Sequence, residues 1–279
     1  MYDENEAKSR DTAWLEGDDE IEMLNSEGAG VYFKREFPDL KRAFLPELKC
    51  VVCMDEGTAH KDVNGEGKFC MAGSGILYPA ANEGERVRKV AELFIERGIT
   101  HLTSHGGCGA AGLAYRRDNP GMKPEDVKAE DIEACAKDWV IKVADEMGRM
   151  GHEVETSHID VKEMERPKDF HTARVVYFDA VGGFNPDIEV GLPMGFVVER
   201  KYLPVEYTNE EVRVAANIAL GHHGLGEKFD SPNHPFIIII FASTPEELQS
   251  LKEEVGKVLA VNDNYKAGKI KIDGMVIEK

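Results

Sequence analysis

Residues 48 to 104 constrain the fold most, because they spell a strand, a loop, a helix and a second strand in that order. Leu48 to Cys53 reads as a strand, and a glycine-rich passage follows it (Gly57, Gly65, Gly67, Gly73, Gly75). Asn82 with Glu85 three residues on is a helix start, Val87, Val90, Ala91 and Phe94 recur at helical spacing, and Gly98 stands where that helix must stop. Ile99 to Ser104 then reads as the second strand. Two strands joined by a helix lie parallel, with a right-handed crossover, so this stretch commits the chain to an α/β architecture.

The rest of the chain extends the same pattern. A helix over roughly 131 to 147 carries Ile132, Cys135, Trp139, Val143 and Met147 on one stripe, and Val175 to Ala180 is another strand. Capping boxes at Thr208 to Glu211 and at Thr244-Pro245-Glu246-Glu247 announce two more helices. Between them Phe236 to Phe241 is short, β-branched and apolar throughout, as expected of a strand buried on both faces. No internal repeat is visible. The expected fold is therefore α/β, a mostly parallel β-sheet flanked by helices, with an additional C-terminal α/β segment. The expected division is an acidic arm at 1–30, a main domain at 31–194 and an extension at 195–279. The arm holds ten acidic residues against Lys8 and Arg10, so it is expected to be solvated, with Trp14, Leu15, Ile21 and Leu24 burying themselves on a partner chain.

Charge and hydropathy narrow the partners. A formal net charge of −18 repels phosphate backbones and anionic lipid, which argues against nucleic acid and membrane surfaces. The longest apolar run, Phe236 to Ala242, is seven residues, against about 20 for a bilayer span. With no basic-then-apolar N-terminal segment, a cytoplasmic protein is expected. Five cysteines, an odd number in such a chain, read as free thiols available for metal or catalysis.

Two clusters carry the chemistry: Cys53-Met54-Asp55 after the first strand and His105-Gly106-Gly107-Cys108-Gly109 after the second. Parallel strands aim their C-terminal ends at one crevice, where residues distant in sequence meet. Two thiolates and an imidazole suit Zn²⁺, and Gly106 and Gly107 give the backbone the freedom to bend His105 and Cys108 onto one ion. Cys50, Cys70, Cys135 and His101 read as core filler. A structural knuckle using Cys50-x-x-Cys53 is the rival, but residues three apart on a strand point to opposite faces. His222-His223 with His234 falls at a helix end and in a loop, where metal binding has little support. Ala72-Gly73-Ser74-Gly75 is too short for a nucleotide fingerprint.

As a set these residues resemble the β-class carbonic anhydrases: Cys53-x-Asp55, then His105-x-x-Cys108-Gly109 beginning 52 residues after Cys53, with Ala72-Gly73 between. The likeness covers about residues 45 to 115, and continues loosely through Val176-Tyr177-Phe178-Asp179 and Gly182-Gly183. It implies a zinc enzyme interconverting carbon dioxide and bicarbonate, with Cys53, His105 and Cys108 as ligands and a homodimer or dimer-built oligomer as the assembly. The family pattern is Cys-x-Asp-x-Arg, and Gly57 stands in place of the arginine. Many members also carry a glutamine where this chain has Phe44. The arginine restrains the aspartate through a two-pronged charged hydrogen bond. Without it Asp55, the expected catalytic residue, is free to become a fourth metal ligand, or is held by another cation, with Arg86, Arg88 and Lys68 as candidates. Two further functions stay open: hydrolysis of carbonyl sulfide or carbon disulfide on the same fold, and a catalytically inactive zinc-binding homologue acting as an interaction protein.

Overall fold

The computed structural model describes residues 4–123, 126–230 and 233–278. The chain forms two compact units, residues 45–165 on one side and residues 1–44 with 166–279 on the other. Each is built on a four-stranded, all-parallel sheet flanked by helices, so the fold is α/β.

In residues 45–165 the strands are β1 (Cys50–Val52), β2 (Lys68–Cys70), β3 (His101–His105) and β4 (Glu155–Ile159), in the order β2-β1-β3-β4. A single turn of helix, α4 (Glu56–Ala59), lies between β1 and β2, and α5 (Glu83–Arg97) crosses from β2 to β3. Helices α6 (Gly109–Asp118) and α7 (Ala129–Arg149) lead from β3 to β4. The local signals for α5 hold: Asn82 Oδ1 accepts from the Glu85 amide, and Gly98 closes the helix at φ 74°. The stripe on α7 buries Ala136, Trp139, Val140, Val143 and Met147, while Ile132 and Cys135 at its start are only half-buried.

The other unit opens with three helices, α1 (Glu4–Leu15), α2 (Asp18–Glu27) and α3 (Ala29–Glu36). Its strands are β5 (Val175–Asp179), β6 (Gly195–Glu199), β7 (Phe236–Ala242) and β8 (Ile270–Val276), in the order β6-β5-β7-β8. The helices are α8 (Val205–Ala219), α9 (Pro245–Leu259) and the short α10 (Asp263–Lys266). All seven residues of β7 are buried, as its composition requires. Thr244 caps α9 by accepting from the Glu247 amide. Thr208 does not cap α8: the helix starts behind Pro204, and the Thr208 hydroxyl sits inside it, donating to the Val205 carbonyl at 3.1 Å. Proline, which cannot donate an amide, marks the helix start more strongly than the threonine.

Three expectations change. The boundaries at 30 and 194 fall within one compact unit, because β5 pairs with β6 and β7 and so belongs with the C-terminal segment. A topological repeat exists that the residues conceal: in each sheet the first strand lies centrally between the second and the third, with the fourth outermost. The arm is also no solvated tail. Trp14, Ile21 and Leu24 are buried in their own unit, and only Leu15, 71% exposed, is left without cover. Trp14 carries the Arg174 guanidinium 3.4 Å from its ring centre, and Arg174 also donates to the Trp14 carbonyl and to Asp18. Cation–π contacts of desolvated groups contribute about 2 kcal/mol, so the acidic helices neutralise a buried cation as well as cover a core. The burial these apolar residues need is thus supplied within one chain, and they no longer argue for a partner. Among the described residues no helix is long and apolar enough to cross a membrane.

Candidate metal centre

The C-terminal ends of β1 and β3, neighbours in the first sheet, bring the two predicted clusters together. Cys53 follows the last residue of β1, His105 closes β3, and Cys108 is the N-cap residue of α6. One donor atom from each lies within 4.8 Å of the others, and all three side chains are buried. The turn between His105 and Cys108 depends on both glycines, for different reasons. Gly107 takes φ +67°, and a Cβ on Gly106 would stand 2.6 Å from Val161 Cγ2.

The surroundings decide which atoms are available. His105 Nδ1 lies 2.9 Å from the Gly106 carbonyl, which fixes the ring proton on that nitrogen. Nε2 is left buried without a hydrogen-bond partner. Cys53 Sγ accepts the Gly73 amide at 3.2 Å. Bonding to the Cys108 sulfur raises Cys53 well above the ordinary thiol range, reinforced by burial. The same bond lowers Cys108, burial opposes it, and the amides of Ala111 and Ala110 at the start of α6 assist. Burial pushes the His105 imidazole down, but the Cys53 sulfur, then Asp55 and the Gly106 carbonyl, carry it up to about 9. Two buried sulfurs beside an imidazole whose Nε2 has no hydrogen-bond partner form a donor set that a divalent cation would satisfy.

Asp55 lies outside this triangle of donors and caps α4 instead. Its Oδ1 accepts the Gly57 amide at 2.9 Å, while its charge still acts on His105 and Cys108. The residue that replaces the expected arginine therefore supplies a donor to the same carboxylate from its backbone. Gly57 belongs to the helical turn of α4, and no left-handed conformation explains it. Of the cations considered, Arg86 donates to the Tyr78 carbonyl and Arg88 pairs with Glu92. Lys68 Nζ donates to the Ala59 and Lys61 carbonyls, at the far end of the helical turn that Asp55 opens.

The passage at 72–75 contributes what residue spacing did not reveal. It is a helical turn with Gly73, Ser74 and Gly75 all at positive φ, and it aims the Gly73 amide at Cys53. A Cβ on Gly73 would meet Ile76 Cγ2 at 2.7 Å and Ala110 Cβ at 2.9 Å. Ser74 holds the turn, donating to the Thr103 carbonyl at 2.5 Å and accepting Trp139 Nε1 on its own carbonyl at 2.8 Å. The density of glycine is the only trace of this in the sequence. Elsewhere, His222 and His223 stack edge to face, whereas His234 sits with Asp230 and Glu22, so these three histidines form no single site. Asp179, Gly182 and Gly183 belong to the other unit, where Asp179 accepts backbone amides. Comparison with family models, with characterised proteins and with solved structures returns no match to this chain.

Proposed function

We propose that the chain is a zinc enzyme of the carbonic anhydrase type, interconverting carbon dioxide and bicarbonate. The observation that carries this reading is the buried triangle of Cys53, His105 and Cys108 with a bare His105 Nε2, beside the carboxylate of Asp55. Two thiolates and an imidazole match the donor preference of zinc, and three protein donors leave a fourth tetrahedral position for the reaction. Zinc held there would supply a Lewis acid that acidifies water for attack on carbon dioxide.

The chain's own residues then have defined tasks. The Gly73 amide and the first turn of α6 would stabilise the sulfurs as thiolates, and the Gly106 carbonyl, bonded to His105 Nδ1, would leave Nε2 to hold the metal. Two thiolates would cancel the charge of a zinc ion held there, so it would acidify water less than a site of three histidines, and a nearby carboxylate would gain importance. Asp55 would be that group, placed to accept a hydrogen bond from the water that zinc would activate. The Gly57 amide occupies one side of Oδ1 and orients it, the task that the resemblance gives to arginine.

The test is stopped-flow hydration of carbon dioxide with the zinc-loaded chain. Activity is expected to disappear with the metal in His105→Ala, and to fall about tenfold to a hundredfold in Asp55→Asn with zinc retained. Sulfide release from carbonyl sulfide or carbon disulfide without hydration would assign the hydrolase instead. Bound zinc with neither activity would assign an interaction protein.

A further inference from the structure

A second set of donors lies at the opposite edge of the same sheet. Cys50 opens β1 and His101 opens β3, and the two are register partners. Glu66 precedes β2 in the turn between Gly65 and Gly67. Backbone bonds hold these three positions together. The Lys49 and Cys50 amides both donate to the Gly67 carbonyl, at 2.7 and 3.1 Å, and the Thr100 and His101 amides both donate to the Lys49 carbonyl. Gly67 is required, since a Cβ there would lie 2.0 Å from the Glu47 carbonyl oxygen. The result is that the Cys50 sulfur, one oxygen of Glu66 and one nitrogen of His101 come within 4.8 Å of one another.

What these atoms lack is informative. His101 Nε2 is engaged by Ser157 Oγ at 2.7 Å, which leaves Nδ1 facing Glu66 Oε2 at 3.9 Å. That separation is too long for a hydrogen bond. Glu66 Oε2 is buried and makes no hydrogen bond at all. The Cys50 sulfur has only a weak contact, 3.7 Å to the Val51 carbonyl. Lys68, the register partner of Cys50 on β2, directs its ammonium to the Ala59 and Lys61 carbonyls. A nucleophilic role for the thiol is excluded by burial, which leaves the sulfur no exposed surface and pushes its pKa up to about 12.

We propose that Cys50, Glu66 and His101 form a second zinc site, which ties the N-terminal ends of β1 and β3 to the turn before β2. A thiolate, an imidazole and a carboxylate are a zinc donor set, and a shared cation satisfies the orphaned oxygen and the free ring nitrogen together. Glu66 and His101 side chains are 35% and 15% exposed, so solvent can deliver the ion and fill the fourth position. At about 3.3 Å per residue, Cys50 and Cys53 stand some three residues, roughly 10 Å, apart along the chain, far enough for two separate ions. The site does not depend on the reaction assigned to the Cys53 centre.

The test counts zinc per chain in the full-length protein after dialysis against buffered free zinc. Two ions are expected in the wild type, and one in each of Glu66→Gln, His101→Gln and Cys50→Ser. Glu66→Gln keeps side-chain shape at a half-exposed position, so it reports binding without threatening the fold. Cobalt loading is expected to show thiolate charge transfer that persists in Cys53→Ser and disappears when Cys50→Ser is added. A wild type with one zinc, lost in Cys53→Ser and kept in Glu66→Gln, overturns this site and leaves the other standing. One zinc lost in Glu66→Gln and kept in Cys53→Ser does the reverse. A wild type that binds none overturns both.

Discussion

Cys53 follows β1, an inner strand of one sheet, and Asp179 ends β5, the corresponding inner strand of the other. The two sheets have the same strand order, yet their C-terminal edges do opposite things with polar groups. Asp179 Oδ1 accepts the amides of Val181 and Gly182, and Oδ2 accepts that of Phe184. Glu199, its register partner on β6, accepts the amides of Gly183 and Lys201. This edge is a closed clasp in which the loop at 181–184 wraps two carboxylates. At the other edge His105 Nε2 is buried without a hydrogen-bond partner, and the Cys53 and Cys108 sulfurs are gathered beside it. Parallel sheets concentrate chemistry at this edge, but a ligand is called for only where the chain leaves its buried polar atoms unsatisfied.

The largest effect that tests this contrast is in Asp179→Ala. Three buried amides lose their acceptor, and at about 1–3 kcal/mol for each the loss is on the order of 5 kcal/mol. Urea unfolding should register it, while the folded fraction keeps the zinc proposed for the Cys53 centre. Unchanged stability would show that the clasp is not structural.

Gly73→Ala comes next. The new Cβ has no room beside Ile76 and Ala110, and the residue must keep φ +54°. A cost of about 1–3 kcal/mol is expected, with zinc affinity at the Cys53 centre lowered because the Gly73 amide moves off the sulfur. Competition with a chelator measures the second effect, and an unaltered affinity would remove Gly73 from the account of the metal centre.

The smallest effect concerns pH. Burial raises Asp179 to about 6 against the pull of its amide donors, and burial together with the Asp179 charge raises Glu199 well above the carboxylate range. A carboxyl group with a raised pKa binds its proton more tightly folded than unfolded, so its stabilising contribution is complete below about pH 4 and is lost as the pH climbs through about 6. Glu199→Gln mimics the protonated form. Relative to this variant, the wild type should therefore lose stability as the pH rises above about 4, measured by denaturant midpoints. A difference that does not change with pH would mean that the pair does not hold an extra proton.

Local chemistry was legible where neighbours in sequence settle it. The start and stop of α5, the start of α9, the buried β7 and the clusters at Cys53 and His105 all follow from residues within a few positions of one another. The Thr208 box fails even at that range, because Pro204 competes for the same helix start.

Strand pairing was not legible. An apolar run such as Val175 to Phe178 fits the centre of any parallel sheet, and only its partners, β6 and β7, place it outside the unit that holds Cys53. The same limit hides Cys50, Glu66 and His101, whose meeting depends on the register of β1 against β3 across some fifty residues of chain. The sequence by itself determined which residue types stand at each strand end, hence that thiolates and an imidazole are present. The tertiary structure decided which of those groups are left without partners, because hydrogen-bond satisfaction depends on amides, such as those of Gly73 and Gly57, that no residue type records.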